Sequence, residues 1–410
     1  MERLLTKRNT LLVLTLITFL VAWNREINLL YGMFALLAST LLLSYILPIY
    51  ALRGIRAIRT VPATAFEDEA IEMKLTVGNS GWTRRYMIEV IDTFPAAELS
   101  LQHPMTFVAK LSGRKKRTYP VKTVCYKRGA YRIGPLKIES AYPLGVSSVE
   151  RPMPEEAPTL LVYPKVFPIA SLPLMRGITL PMNGVEAMSK GGGSEEFFGT
   201  REYRPGDHLK YIHWPSTARR AKLIVKEFEI RAATEVTILL DLHRNSSAGE
   251  GKETPLEYAV KISASVAQYA LDRGHDLQLV GYGRNTHHLP PARGMTQLAA
   301  VLEALARVEA DGNVPFPKAI SQAAEVFREG GTAVLIFSRL DANIEEILEG
   351  FGLLTAKRIR PICIFINNES FLPKKPSMTS NQHRVVQEAI ALGFPSYFIS
   401  KGDRLEEVFV

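Results

Sequence analysis

The chain has 410 residues and only two cysteines, Cys125 and Cys363, far apart in sequence. A disulfide framework is therefore not expected, and a reducing compartment fits. No Gly-x-Ser-x-Gly, His-Glu-x-x-His or Cys-x-x-Cys occurs anywhere, which removes the commonest hydrolase and zinc signals. Gly191-Gly192-Gly193 lacks a Gly-Lys-Ser/Thr ending and follows no strand pattern, so it is not a phosphate loop. His287-His288 has no Cys or carboxylate partner at zinc-site spacing and reads as an exposed loop. Acidic residues are in deficit, 41 against 50 Lys and Arg, a net charge of +9. The basic residues are spread along the chain, and the glycine-flanked aromatics of an RNA-binding sheet are missing, so nucleic acid is not an expected partner.

What is present begins with apolar sequence. Leu29 to Leu52 contains no charge and exceeds the roughly 20 apolar residues that span a bilayer. Thr10 to Trp23 is a shorter apolar run, and Trp23-Asn24-Arg25-Glu26 after it offers no small-residue cleavage site. The expectation is a two-helix transmembrane hairpin over residues 1–60, turning at Asn24–Asn28. Arg3, Lys7 and Arg8 before it, and Arg53, Arg56 and Arg59 after it, place both ends and the soluble part in the cytoplasm of a multi-pass membrane protein.

With 47% hydrophobic residues the remainder can bury a core in more than one domain. Residues 61–165 carry short alternating runs (Ile71 to Val77, Tyr86 to Ile91, Thr118 to Tyr126, Tyr131 to Ile138) between turn residues, the pattern of an antiparallel β-sandwich. Arg114-Lys115-Lys116-Arg117 reads as a solvated hairpin tip, with anionic lipid headgroups as the rival contact. Residues 166–234 form a linker, with a glycine hinge at Gly191–Ser194, and a segment dense in charge and aromatics. From 235 to 410, strands (Val236 to Leu240, Leu277 to Tyr282, Ala333 to Phe337, Pro361 to Ile366) alternate with helices (Leu256 to Asp272, Met295 to Val308, Lys318 to Arg328, Val385 to Leu392), giving an α/β domain with a mostly parallel sheet. The fold class is thus membrane-anchored α/β plus β.

The block Arg201-Glu-Tyr-Arg-Pro-Gly-Asp207, with Ile212-His-Trp214, Ser216-Thr-Ala-Arg219 and Leu223-Ile-Val-Lys-Glu-Phe228, resembles the signature of the bacterial "domain of unknown function 58" family. His208, Lys210 and His213 depart from the Asp, Arg and Asp usual there, while Tyr131, Gly134 and Tyr142-Pro-Leu-Gly145 resemble the strand and turn before the signature. The resemblance implies a von Willebrand factor A-like C-terminal domain. It also implies a non-enzymatic adaptor or scaffold that works with a MoxR-type AAA+ ATPase, and beside a transglutaminase-like membrane protein, in complex assembly or envelope stress.

Two sites are open to that block and domain. Arg201, Glu202, Tyr203, Arg204, Asp207, Trp214, Arg219 and Lys226 could form a buried ion-pair clamp centred on Trp214, or a docking surface of hot-spot residue types. Glu202 and Asp207 are also the pair that an envelope-directed enzyme would use. An adhesion-type Mg²⁺ site would draw on Asp241, Asn245 and Thr296, although His243 and Arg339 stand where oxygen ligands are wanted. No other cofactor is expected. The topology predicts that protease added to inside-out membrane vesicles degrades everything after residue 60; a protected soluble part would overturn it.

Overall fold

The computed structural model describes residues 7–154, 156–174, 195–205, 207, 209–230, 234–246, 248–338, 344–372 and 380–409. The expected hinge at Gly191–Ser194, as well as His208 and Arg339, lie outside these. The chain divides into two compact units, 1–163 and 164–410.

The first unit opens with helices α1 (Lys7–Arg25) and α2 (Asn28–Leu52). Glu26 takes a left-handed φ of 54°, which reverses the chain, and Phe19 meets Phe34 with ring centroids 4.9 Å apart. Hydroxyls in both helices bond back to the preceding turn: Thr15 to the Leu11 carbonyl, Thr18 to Leu14 and Thr40 to Leu36. These bonds leave little polar character on an apolar surface. Among the described residues, α2 is the one helix long and apolar enough to cross a membrane; α1 falls short of that measure.

Ten strands follow. They are β1 (Ile55–Thr60), β2 (Thr64–Phe66), β3 (Ala70–Asn79), β4 (Arg85–Ile91), β5 (Met105–Leu111), β6 (Lys116–Val124), β7 (Gly129–Arg132), β8 (Lys137–Ser140), β9 (Val149–Pro152) and β10 (Thr159–Tyr163). They pair as β1-β3-β6, β5-β4-β8-β9 and β2-β10-β7. Strict alternation in β1 and β3 sends Ile55, Ala57, Leu75 and Val77 inward, against Ile88, Val90, Val108, Leu111 and Ile138 of the four-stranded sheet. Each such Ile, Leu or Val contributes about 1.5–3 kcal/mol by leaving water. Three expectations need correction. The β-module starts at Ile55 rather than after residue 60, and β2 pairs with β10 in parallel, so the layers are not wholly antiparallel. The single run Tyr131 to Ile138 is two strands in different sheets, broken at Gly134-Pro135, where proline has no N–H for a ladder.

The second unit contains a hairpin of β11 (Glu195–Glu202) and β12 (Ile224–Ile230), with α3 (Trp214–Arg220) in its connection. An α/β domain follows: β13 (Glu235–Leu240), α4 (Pro255–Asp272), β14 (Asp276–Tyr282), β15 (Thr286–Ala292), α5 (Gly294–Arg307), α6 (Phe316–Ala323), β16 (Thr332–Phe337), α7 (Ile344–Ala356), β17 (Arg360–Ile366), α8 (Ser380–Ala391), β18 (Ser396–Ile399) and α9 (Leu405–Val408). Its sheet has the order β15-β14-β13-β16-β17-β18, all parallel except the edge strand β15. β13 and β16 are buried along their whole length, as strands covered on both faces require. His287 and His288 therefore lie on an edge strand and not in a loop: Gln278 Nε2 and His288 Nε2 are 2.8 Å apart, and Thr237 donates to Gln278 Oε1 at 2.8 Å.

In the first unit, Arg59 forms a buried ion pair with Asp92 and donates to the Ile133 carbonyl at 2.7 Å. Asp92→Ala would leave a guanidinium stranded in the sandwich and should cost about 3–5 kcal/mol. Pairing it with Arg59→Met should restore most of that loss. Denaturant unfolding of the full chain in detergent checks this, and an unchanged midpoint for Asp92→Ala would refute it.

Candidate functional site

The signature block folds as the β11–β12 hairpin, in which Arg201 lies opposite Val225 and Glu202 opposite Ile224. Its turn is held by one carboxylate. Asp207 accepts both guanidinium nitrogens of Arg201, at 2.6 and 2.7 Å, and the Arg204 backbone N–H at 2.8 Å. The Arg201 guanidinium holds the Asp207 carboxyl down at about 2, with the Arg204 N–H acting in the same direction. A carboxylate so committed is a poor proton acceptor near neutral pH. Glu202 pairs with Lys222 at 3.0 Å, but both side chains are about two-thirds exposed (66% and 67%), so solvent screens the pair.

Short-range bonds also fix the return strand. His213 Nδ1 lies 2.7 Å from Ser216 Oγ at the start of α3, and Ala221 ends that helix with a left-handed φ of 50°. Thr217 Oγ1 then accepts the Ile224 N–H at 3.0 Å. Ile212, Ile224 and Val225 supply the buried apolar contacts.

Trp214 does not supply them. It is 64% exposed at the first position of α3, so the expectation of a clamp centred on this ring is corrected. Leu209 (65%) and Leu223 (42%) are exposed in the same connection. Arg204, Arg219 and Lys226 are exposed too, and Tyr203 is half-buried. The eight residues therefore share one hairpin, without forming a buried lattice. Sequence reasoning missed Leu209 and Leu223, whose signal was apolar character inside an otherwise charged segment.

The proposed Mg²⁺ ligands are not brought together. Asp241 is buried where β13 ends; its Oδ1 accepts the His243 N–H at 3.0 Å and its Oδ2 the Ser246 hydroxyl at 2.7 Å. Burial pushes its carboxyl up, against these bonds and one from the Ser338 N–H. Asn245 is exposed. Thr296 is exposed at the start of α5, where the next residue, Gln297, donates to the Leu277 carbonyl at 2.8 Å. Leu277 pairs with Val236, at the opposite end of β13 from Asp241. Five residues at about 3.3 Å each put roughly 17 Å between those ends. The antiparallel return of β15 causes this, because it carries the chain back before α5 begins. The oxygens of Asp241 already hold protein donors, so this set does not fit an octahedral Mg²⁺ shell. Among the described residues, no cluster of three His, Cys, Asp or Glu side chains could hold a metal.

Because the Asp207 pKa is depressed, its contribution to hairpin stability is full above about pH 4 and is lost as pH falls toward 2. Asp207→Asn should remove that acid dependence and loosen the turn by about 1–3 kcal/mol. Hydrogen exchange of the Arg204 amide reads it: unchanged protection in the variant would contradict the assignment.

Comparison with known proteins gives the following. A stretch of 118 residues is 26% identical to the "Uncharacterized protein YeaD" of Bacillus subtilis (strain 168), covering 29% of this chain and 28% of that protein. The match thus spans well under half the length of that curated relative. Among solved structures, proximal thread matrix protein 1 from the mussel byssus aligns at 13% identity with a TM-score of 0.27, over 39% of this chain and 46% of its own. The CARDB domain of a Pyrococcus furiosus protein aligns at 11% identity and 0.19, over 26% of this chain and 91% of its own. Neither similarity is high enough to carry an argument. Residues 199–379 match the family described as "Protein of unknown function DUF58".

Proposed function

We propose that the chain is a membrane-anchored, non-enzymatic adaptor whose signature hairpin docks a MoxR-type AAA+ ATPase. The observation that carries this reading is the exposure of Trp214, Leu209 and Leu223 in the connection of a hairpin tied by Arg201 and Asp207. A connection offering an aromatic anchor among arginines has the composition of an interface hot spot. Asp207, bound by two arginines and ionised, supports docking over catalysis. The C-terminal sheet is read as von Willebrand factor A-like, used here as a rigid support for the hairpin and not as a metal site. A transglutaminase-like membrane protein belongs to the same proposed set of partners.

Anchorage is supported by the surfaces of α1 and α2. Leu12, Leu16, Ile17 and Leu20 of α1, and Leu29, Leu36, Leu42 and Ile46 of α2, are each about half exposed or more. Such a band would be an aggregation liability in water. Tyr31 and Tyr50 near the two ends of α2 are both exposed. Their separation of 19 residues gives about 28 Å of helix, close to the thickness of a hydrocarbon core. In the proposed arrangement α1 is the second arm of a two-span hairpin, with the soluble units in the cytoplasm.

Because Trp214 is largely exposed, Trp214→Ala should leave the melting profile nearly unchanged while weakening ATPase capture about 30-fold or more, as for a hot-spot truncation. Thermal unfolding in detergent reads the first, and crosslinking from native membranes followed by affinity recovery reads the second. Equal recovery of the ATPase with the variant, or its absence from wild-type crosslinks, would sink the proposal.

A further inference from the structure

Where α2 ends, two loops of the β-module are fastened to it. The Tyr50 hydroxyl lies 2.9 Å from that of Thr83, and the Arg85 guanidinium sits 4.0 Å over the Tyr50 ring while its Nε donates to the Arg53 carbonyl at 3.2 Å. These contacts hold the β3–β4 loop, and with it Trp82, against the last turn of the helix. The β5–β6 tip is locked to that loop in turn. The Arg114 N–H donates to the Gly81 carbonyl at 3.0 Å, and the Asn79 N–H to the Lys115 carbonyl at 3.0 Å. A Cβ on Gly113 would fall 2.1 Å from the Trp82 carbonyl oxygen, so the approach of the two loops needs a glycine.

The surface this creates is unusual for a soluble module. Trp82 is 79% exposed, with the Arg114 guanidinium stacked 3.3 Å from its ring centre. Arg84, Lys115, Lys116 and Arg117 are exposed around it, and no Asp or Glu occurs in residues 44–60, 76–88 or 110–123. A charged hairpin tip alone would be a solvated turn. Here it is joined to the end of an apolar helix, has no acidic residue in either loop and presents an indole, the ring that favours headgroup depth.

We infer that the Trp82–Arg114 loop pair, with Arg84, Lys115, Lys116 and Arg117, is a second membrane contact that binds the phosphates of anionic phospholipid in the leaflet where α2 ends. The inference rests on the reading of α2 as a membrane span. Trp82 would enter the headgroup layer with its stacked guanidinium, and the basic residues would supply attraction that falls off within a Debye length.

The test uses the full chain with Trp23→Phe and Trp214→Phe, two exposed positions (70% and 64%), so that Trp82 is the sole tryptophan and is excited selectively. It is reconstituted in nanodiscs of phosphatidylcholine alone, or mixed with phosphatidylglycerol, carrying brominated acyl chains. In the anionic discs Trp82 emission should move to the blue and be quenched by bromine, and high salt should reverse both. Alanine at Lys115, Lys116 and Arg117 should lower the docked-to-free ratio about fivefold for each cation removed. Water-like emission in both discs overturns the inference, as does an equal blue shift from free inorganic phosphate. Flotation with vesicles after a carbonate wash separates the two readings. A chain that floats with an unquenched Trp82 refutes this contact alone, and one that does not float refutes the membrane span with it.

Discussion

Carbonyls leaving the end of an apolar helix must find donors, and in the first unit that requirement sets the arrangement of everything around it. The Arg53 carbonyl is taken by Arg85 Nε, the Gly54 carbonyl by the N–H and hydroxyl of Ser80, and the Ile55 carbonyl by Arg151. Gly54, at φ 79°, allows the sharp exit that makes this possible. Three successive oxygens are thus satisfied by β4, the β3–β4 loop and β9. Leu52 and Ile55 continue directly into the sandwich core. Helix and β-module therefore meet through fixed bonds and not a flexible tether, and the loops carrying Trp82 and Arg114 inherit their position from that junction.

The same economy of local pairing explains the hairpin of the DUF58 span. A dense set of charges suggests a buried network, but burying ions needs partners of matched geometry on every side. The chain instead closes its charges inside the hairpin: Arg201 on Asp207, Lys222 on Glu202. Ile212, Ile224 and Val225 take the interior, and Trp214, Leu209 and Leu223 are left exposed.

Much of the α/β domain was legible in sequence because strands buried on both faces are runs of Val, Ile, Leu and Phe. Glu235–Leu240, Thr332–Phe337 and Arg360–Ile366 all fall where such runs predict them. β15 was not legible, since His-His-Leu-Pro-Pro reads as a loop. That one omission also misplaced Thr296. Spacing along the chain puts it where an adhesion loop would fall, but an antiparallel strand inserted after β14 delivers it to the other end of the sheet. Asp241 was found by its position at a strand terminus; that its oxygens are spent on His243 and Ser246 depends on a turn that periodicity does not reveal. The hairpin eluded secondary-structure reasoning for a related reason: β11 and β12 alternate charge with apolar residues too weakly to signal a strand. Trp214 was singled out by its residue type, and its exposure had to come from the fold.

β15 also closes a side of the sheet. Pro290 and Pro291 have no N–H to offer, and the register of β15 on β14 shifts where they stand. A strand so built is a poor template for a neighbour's strand, and exposed sheet edges that template well start aggregation. The two prolines that hid this strand from a reading of the sequence thus also blunt the exposed edge of the sheet.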